Sequence, residues 1–125
     1  MKPNILVIED EADIRNSIAE KLGYEDIPYR VAPDGISGAQ LARQIVPDLI
    51  ICDIMMPGLD GFGVLNELRS DPLTANIPFV FLTAKADKAS LRQGMDLGAD
   101  DYLTKPVTSQ ELLTTIDARL QKKRD

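Results

Sequence analysis

Histidine is absent from this sequence of 125 residues, and cysteine occurs only once. Without histidine the chain has no imidazole for acid–base catalysis, no zinc site of the usual kind and no phosphohistidine of its own. One cysteine cannot form an internal disulfide, and Cys52 stands within an apolar run, which is typical of a small buried hydrophobic side chain. We therefore set aside redox, zinc and histidine-based functions.

Long apolar runs and an excess of positive charge are missing as well. No stretch approaches the roughly 18 to 20 apolar residues that cross a bilayer, and the first residues lack the apolar segment of a secretory signal. We expect a cytoplasmic protein with no membrane partner. The formal net charge of −6 argues against direct nucleic-acid binding by the body of the domain.

A chain of this length has room for one hydrophobic core, and we expect residues 1–125 to form a single domain. Short continuous apolar runs, typical of strands buried on both faces, alternate with segments of helical period. This alternation predicts an α/β protein with five β–α units. We expect strands at about 4–9, 29–32, 48–53, 77–82 and 100–103.

Three of the predicted helices carry informative signals. Asp34 precedes Gly35 at a turn and can cap the second helix, and Thr108 to Glu111 reads as a capping box for the last one. The fourth helix, expected at about 87–97, contains Gly94. A glycine inside a helix costs about 1 kcal/mol relative to alanine, so we expect this helix to be weakly held.

Four of the apolar runs lead into chemically reactive side chains: Glu9 and Asp10, Asp53, Thr83, and Lys105. Because the carboxyl ends of parallel strands meet at one edge of a sheet, where open α/β sheets bind ligands, we expect these groups to share a pocket. Carboxylate oxygens are ligands that Mg²⁺ prefers. The pattern predicts a pocket with three carboxylates, a hydroxyl and an ammonium group.

Each of these residues, taken alone, has a plain structural interpretation. Acidic residues favour the start of a helix, an aspartate or threonine after a strand often caps a loop, and a lysine is usually solvated. Their joint placement at one sheet edge is what favours a functional interpretation.

Five motifs occur in order along the chain: Glu9-Asp10, Asp53 to Gly61, Thr83-Ala84, Gly98 to Tyr102, and Lys105-Pro106. Any one is weak, but together they are specific. Over essentially its full length the chain resembles the receiver domain of bacterial two-component response regulators. The resemblance implies a flavodoxin-like fold with a parallel sheet of order 2-1-3-4-5 and helices on both faces. It also implies that Asp53 is phosphorylated by a histidine kinase or phosphotransfer protein.

The same resemblance implies a metal site. Glu9, Asp10 and Asp53, together with the main-chain carbonyl of Met55, would hold Mg²⁺, for which Mn²⁺ would substitute. The charges of the three carboxylates, the divalent ion and Lys105 then sum to zero before phosphorylation. Phosphorylation adds negative charge to Asp53, so the new oxygens need partners.

The resemblance further implies a switch. Thr83 and Lys105 would contact the phosphoryl group, and Tyr102 would turn inward when Thr83 moves, changing the surface of the fourth helix, fifth strand and fifth helix. Lys105-Pro106 is a candidate cis peptide. Met55 and Lys85 occupy the two positions thought to tune phosphoryl lifetime; neither can orient an attacking water, so we expect slow autodephosphorylation.

Other functions compete with this interpretation. A phosphatase similar to the haloacid dehalogenase family needs an aspartate two residues after the nucleophile, where this chain has Met55, and a cap domain for which it is too short. A flavin carrier and a dinucleotide site each need a phosphate-binding loop that the chain lacks. An interaction module that is never phosphorylated stays open. The sequence also leaves open whether the chain forms a homodimer and which output domain or protein it controls. It leaves open as well whether the chain stands alone or is a module of a longer regulator.

Overall fold

Strands and helices alternate along the part of the chain that the computed structural model describes, residues 3–84 and 87–124. The strands are β1 (Ile5–Ile8), β2 (Tyr29–Ala32), β3 (Leu49–Asp53), β4 (Phe79–Ala84) and β5 (Asp101–Lys105). The helices are α1 (Ala12–Tyr24), α2 (Gly35–Ile45), α3 (Gly61–Arg69), α4 (Lys88–Asp96) and α5 (Ser109–Arg124). None of the helices in these ranges is both long and apolar enough to cross a membrane.

The five strands form one parallel sheet of order β2-β1-β3-β4-β5, which confirms the predicted fold. Every residue of β1 and β3 is buried, as their continuous apolar sequences predict. The register pairs Ile8 with Cys52, Asp53 with Leu82, and Ala84 with Lys105. The carboxyl ends of β1, β3, β4 and β5 therefore meet at one edge.

Two hydrophobic clusters cover the two faces of the sheet, because successive strand residues point to opposite sides. On one face Ile8, Cys52 and Phe81 pack with α2 and α3. On the other face α1 and α5 pack against the sheet, as the helical spacing of their apolar residues predicts; the buried members there include Val7, Ile51, Ile18, Leu22, Leu112 and Ile116. Cys52 is a free, buried thiol, as expected.

The fourth strand lies two residues later than the sequence predicts. The N–H of Ile77 donates to the carbonyl of Thr74 at 3.2 Å, closing a turn before the strand, and Pro78 has no N–H to donate. At the other end, β5 continues to Lys105 and pairs with Ala84, which extends β4 beyond Leu82. Thr83 and Lys105 consequently lie within their strands rather than after them.

The predicted caps are confirmed. The Asp34 carboxylate accepts from the N–H of Ser37 at 2.7 Å. The Glu111 carboxylate accepts from the N–H of Thr108 at 3.0 Å, and the Thr108 hydroxyl accepts from the N–H of Glu111 at 3.1 Å. The Lys105-Pro106 peptide bond is cis, as predicted.

Gly94 weakens its helix but also has a role in packing. A Cβ at this position would lie 2.5 Å from the ring of Phe81, so the missing side chain lets α4 approach the sheet closely. Gly94 is also the only buried residue of α4. This helix is therefore attached to the sheet through little apolar surface.

Candidate functional site

The three carboxylates predicted to converge do so at the carboxyl edge of the sheet. Glu9 follows β1 and is fully buried, and its N–H donates to the carbonyl of Ala32 at 3.1 Å. Asp53 ends β3 and is 3% exposed. Ligand atoms of Glu9, Asp10 and Asp53 lie within 4.8 Å of one another.

Lys105 approaches this cluster from β5. Its Nζ lies 3.1 Å from Oε1 of Glu9 and 3.2 Å from Oδ1 of Asp53. Since β4 separates β3 from β5, the lysine side chain reaches across one strand to Asp53, and across both β4 and β3 to Glu9. One ammonium group thus faces three carboxyl groups.

Two buried oxygens of the cluster have no hydrogen-bond partner: Oε2 of Glu9 and Oδ1 of Asp10. Buried polar atoms are nearly always paired, so two unpaired carboxylate oxygens in one cluster favour a bound ligand. Three carboxylates at this spacing are a hard oxygen donor set, which suits Mg²⁺. The residues present therefore fit a divalent cation of that type.

Burial and mutual repulsion shift the pKa values of the cluster. Burial, and next the neighbouring Asp53, raise the pKa of Glu9 to about 8. Burial also raises the pKa of Asp53, against the lowering effects of Glu9 and Lys105. For Lys105, burial lowers the pKa, but the attraction of Asp53 and Glu9 outweighs it and the net shift is upward. Without a bound cation, full ionisation of this site is unfavourable.

The structure describes three of the four remaining predicted residues, which are Thr83, Met55 and Tyr102. Thr83 is 4% exposed and follows Leu82, the register partner of Asp53. Within the described part of the chain, its hydroxyl donates one long hydrogen bond, 3.4 Å, to the carbonyl of Ala84. Met55 is 68% exposed and Tyr102 is 41% exposed. Lys85 lies outside the described residues.

Two residues to which the sequence interpretation assigned no role of their own support the site. The guanidinium of Arg15 in α1 donates to the main-chain carbonyl of Glu9 at 2.9 Å. Gly61 begins α3 where a Cβ would lie 2.4 Å from the carbonyl oxygen of Asp53, so only glycine fits against that strand end. The Asp60-Gly61 pair within the Asp53 motif signals Gly61, whereas nothing in the sequence distinguishes Arg15 from other helical arginines.

Comparison with known proteins agrees with this geometry. The family model of the response regulator receiver domain matches residues 5–117. The DNA-binding dual master transcriptional regulator RpaA of Synechocystis sp. is 43% identical over 120 residues, which are 96% of this chain and 50% of RpaA. The chain spans about half the length of the curated relatives it matches.

Two solved structures are similar over nearly the whole chain. A putative response regulator from Chloroflexus aurantiacus has a TM-score of 0.92 and 30% identity, covering 97% of this chain and 99% of its own. The receiver domain of the sensor histidine kinase PA1611 from Pseudomonas aeruginosa has a TM-score of 0.89 and 26% identity, covering 97% and 99%. In that second structure a magnesium ion is coordinated in the active-site cleft.

Proposed function

The chain belongs to the response regulator receiver domain family, and from that premise we propose that Asp53 accepts a phosphoryl group from a partner histidine kinase or phosphotransfer protein. One observation carries the proposal. The carboxylate of Asp53 ends a buried strand with Glu9 and Asp10 within 4.8 Å and the ammonium group of Lys105 at 3.2 Å. A nucleophile, acidic metal ligands and a cation for the incoming group thus share one site.

In the proposed reaction an oxygen of Asp53 attacks the phosphorus of a phosphohistidine. A P–O bond forms, the P–N bond breaks, and its electron pair returns to the imidazole, which takes up a proton from solvent. The product is an acyl phosphate on Asp53. The ammonium group of Lys105 and the hydroxyl of Thr83 stabilise the phosphoryl oxygens, so the protein contributes positioning and charge stabilisation.

Glu9, Asp10, Asp53 and the main-chain carbonyl of Met55 would hold Mg²⁺, with Mn²⁺ as a substitute. The bound cation supplies screening of the negative charge that the carboxylate nucleophile and the phosphoryl oxygens share. Two observations support this assignment: the unpaired oxygens of Glu9 and Asp10, and the magnesium ion in the similar receiver from P. aeruginosa.

Phosphorylation would act on the rest of the molecule through Thr83. Drawn toward the phosphoryl group, Thr83 vacates space that Tyr102 fills, and the surface of α4, β5 and α5 changes. The weak hydroxyl bond of Thr83 and the single buried residue of α4, Gly94, support such a change because little packing opposes it. Met55 and Lys85 would tune the phosphoryl lifetime, giving slow autodephosphorylation.

We assign the switched surface to control of an output domain or protein partner. The similar RpaA is named a DNA-binding transcriptional regulator, and this chain covers half of it. Residues 1–125 would then act as one receiver domain in the cytoplasm, catalysing only its own phosphorylation and dephosphorylation. Nucleic-acid contact would belong to the output, and a homodimer through the switched surface is compatible with this role.

Acetyl phosphate tests the proposal without the cognate kinase. We expect the protein in Mg²⁺ to gain the mass of one phosphoryl group, measured by intact mass spectrometry, and Asp53→Asn to gain none. Asp96→Asn, which removes an exposed carboxylate of α4, serves as the control and should be labelled like the wild type. Equal labelling of Asp53→Asn would refute the assignment.

A further inference from the structure

The loop between β3 and α3, residues 54–60, contains Met55, two residues after Asp53, and is held at both of its ends. Ile54 is fully buried and follows Asp53 directly. At the other end the N–H of Gly61 donates to the carbonyl of Ile54 at 2.9 Å, closing the loop on itself. Between these points Met56 is buried in the core, and Met55, Pro57 and Gly58 are exposed.

A third contact comes from a different element, the first residue of α2. A Cβ at Gly35 would lie 2.1 Å from the carbonyl oxygen of Leu59 and 3.0 Å from its carbonyl carbon. Gly35 is buried, and its α-carbon packs directly against the main chain of the loop. The Leu59 side chain packs against the core beside this contact.

Helix α2 cannot easily shift away from the loop to make room for a side chain at Gly35. Gly38, one turn further along, lies against β1 so closely that a Cβ there would be 2.6 Å from Cδ1 of Ile8. The Asp34 cap fixes the start of the helix through Ser37. A side chain at Gly35 would therefore push Leu59, and with it the loop, by roughly 1 Å, because packed interiors leave no void to absorb it.

We propose that Gly35 is a positioning residue for the cation site: its bare α-carbon sets the β3–α3 loop, and thereby the main-chain carbonyl of Met55, at the distance from Asp53 that metal coordination needs. This inference rests on the proposed function in taking Mg²⁺ as the ligand. It extends the site to a helix that contributes no side chain to it. The groups that hold a metal ligand in place often affect affinity as strongly as the ligand itself.

The test is the dissociation constant for Mg²⁺, measured by isothermal titration calorimetry on the wild type, Gly35→Ala and Gly38→Ala. We expect Gly35→Ala to bind Mg²⁺ about tenfold more weakly. Gly38→Ala is the matched control, because it adds the same methyl group to the same helix but meets the core side chain of Ile8. It should lose stability and keep its affinity for Mg²⁺.

A rate measurement separates positioning from general damage. With acetyl phosphate, Gly35→Ala should need more Mg²⁺ for half-maximal phosphorylation yet reach nearly the wild-type rate at saturating Mg²⁺, because the ligand set is displaced and not removed. If Gly35→Ala does not fold, Leu59→Ala tests whether this end of the loop affects Mg²⁺ binding. It should weaken Mg²⁺ binding, whereas Leu41→Ala, which removes a partly buried leucine packed on the same core, should not.

The possible outcomes distinguish a failure of this inference from a failure of the proposed function. Wild-type protein that binds no Mg²⁺ would overturn both. Wild-type protein that binds Mg²⁺, with folded Gly35→Ala binding it equally well, would overturn the role of Gly35 alone. Equal weakening in Gly35→Ala and Gly38→Ala would also overturn it, because the effect would then follow stability and not the loop.

Discussion

Among the described side chains, Lys105 is the one cation within ion-pair distance of the buried carboxylates Glu9 and Asp53. One positive charge against three carboxyl groups leaves the site two charges short of neutrality when all are ionised. Burial first, and then the proximity of Asp53, raise the pKa of Glu9 to about 8. Without a bound cation, this buried negative charge costs the protein stability.

Asp53→Asn should therefore stabilise the metal-free protein. The pKa of Asp53 is raised by burial, so its ionised form is disfavoured in the folded state and its contribution to stability falls as pH rises. In EDTA at about pH 8 we expect a larger free energy of unfolding for Asp53→Asn than for the wild type, measured by urea denaturation.

Saturating Mg²⁺ should reverse the order, because the ion binds the wild type with one more carboxylate and stabilises it by mass action. Asp96→Asn should match the wild type in both conditions. A metal-free Asp53→Asn protein no more stable than the wild type would contradict the charge argument.

At the scale of the elements, a network of hydrogen bonds holds the amino ends of β4 and β5. At their start, the Arg69 guanidinium donates to the carbonyl of Ile77 at 2.7 Å and to Oδ2 of Asp100 at 3.2 Å. The same Asp100 oxygen accepts from the N–H of Phe79 at 2.8 Å. This network holds the end of the strands opposite the site, so the change that we propose to begin at Thr83 would be confined to the carboxyl ends and α4.

The capping box of α5 gives a pH-dependent prediction. The N–H of Thr108 lowers the pKa of Glu111 below its ordinary 4.5. A lowered folded-state pKa contributes stability above the unfolded-state value, and this contribution is lost as pH falls through the folded-state value. Glu111→Gln should therefore melt at a lower temperature than the wild type near neutral pH, and the difference should shrink as the pH falls below 4.5.

Differential scanning fluorimetry across that pH range measures the difference. Glu20→Gln, at an exposed position of α1, is the control and should show no such trend. A difference between Glu111→Gln and the wild type that stays constant or grows toward acid pH would show that the carboxylate charge does not support the cap.

For the whole molecule, the resemblance to receiver domains implied the strand order. The sequence pattern itself predicted the two-faced core and the convergence of Glu9, Asp53 and Lys105. It could do so because continuous apolar runs specify strands buried on both faces, and parallel strands bring their ends together. The limits of β4 were wrong by two residues, since a turn at Ile77 and pairing with β5 decide them. The contacts of Gly35 and Arg15 depend on tertiary approach between elements, which a local pattern does not encode.

The central claim, that Asp53 is the phosphoryl acceptor, is tested most directly by locating the modified residue. The protein is treated with acetyl phosphate and Mg²⁺ and then with borohydride, which reduces an aspartyl phosphate to homoserine, and tandem mass spectrometry reads the position. We predict homoserine at position 53 alone, and none when EDTA replaces Mg²⁺. Homoserine at another aspartate with Asp53 unmodified would contradict the account.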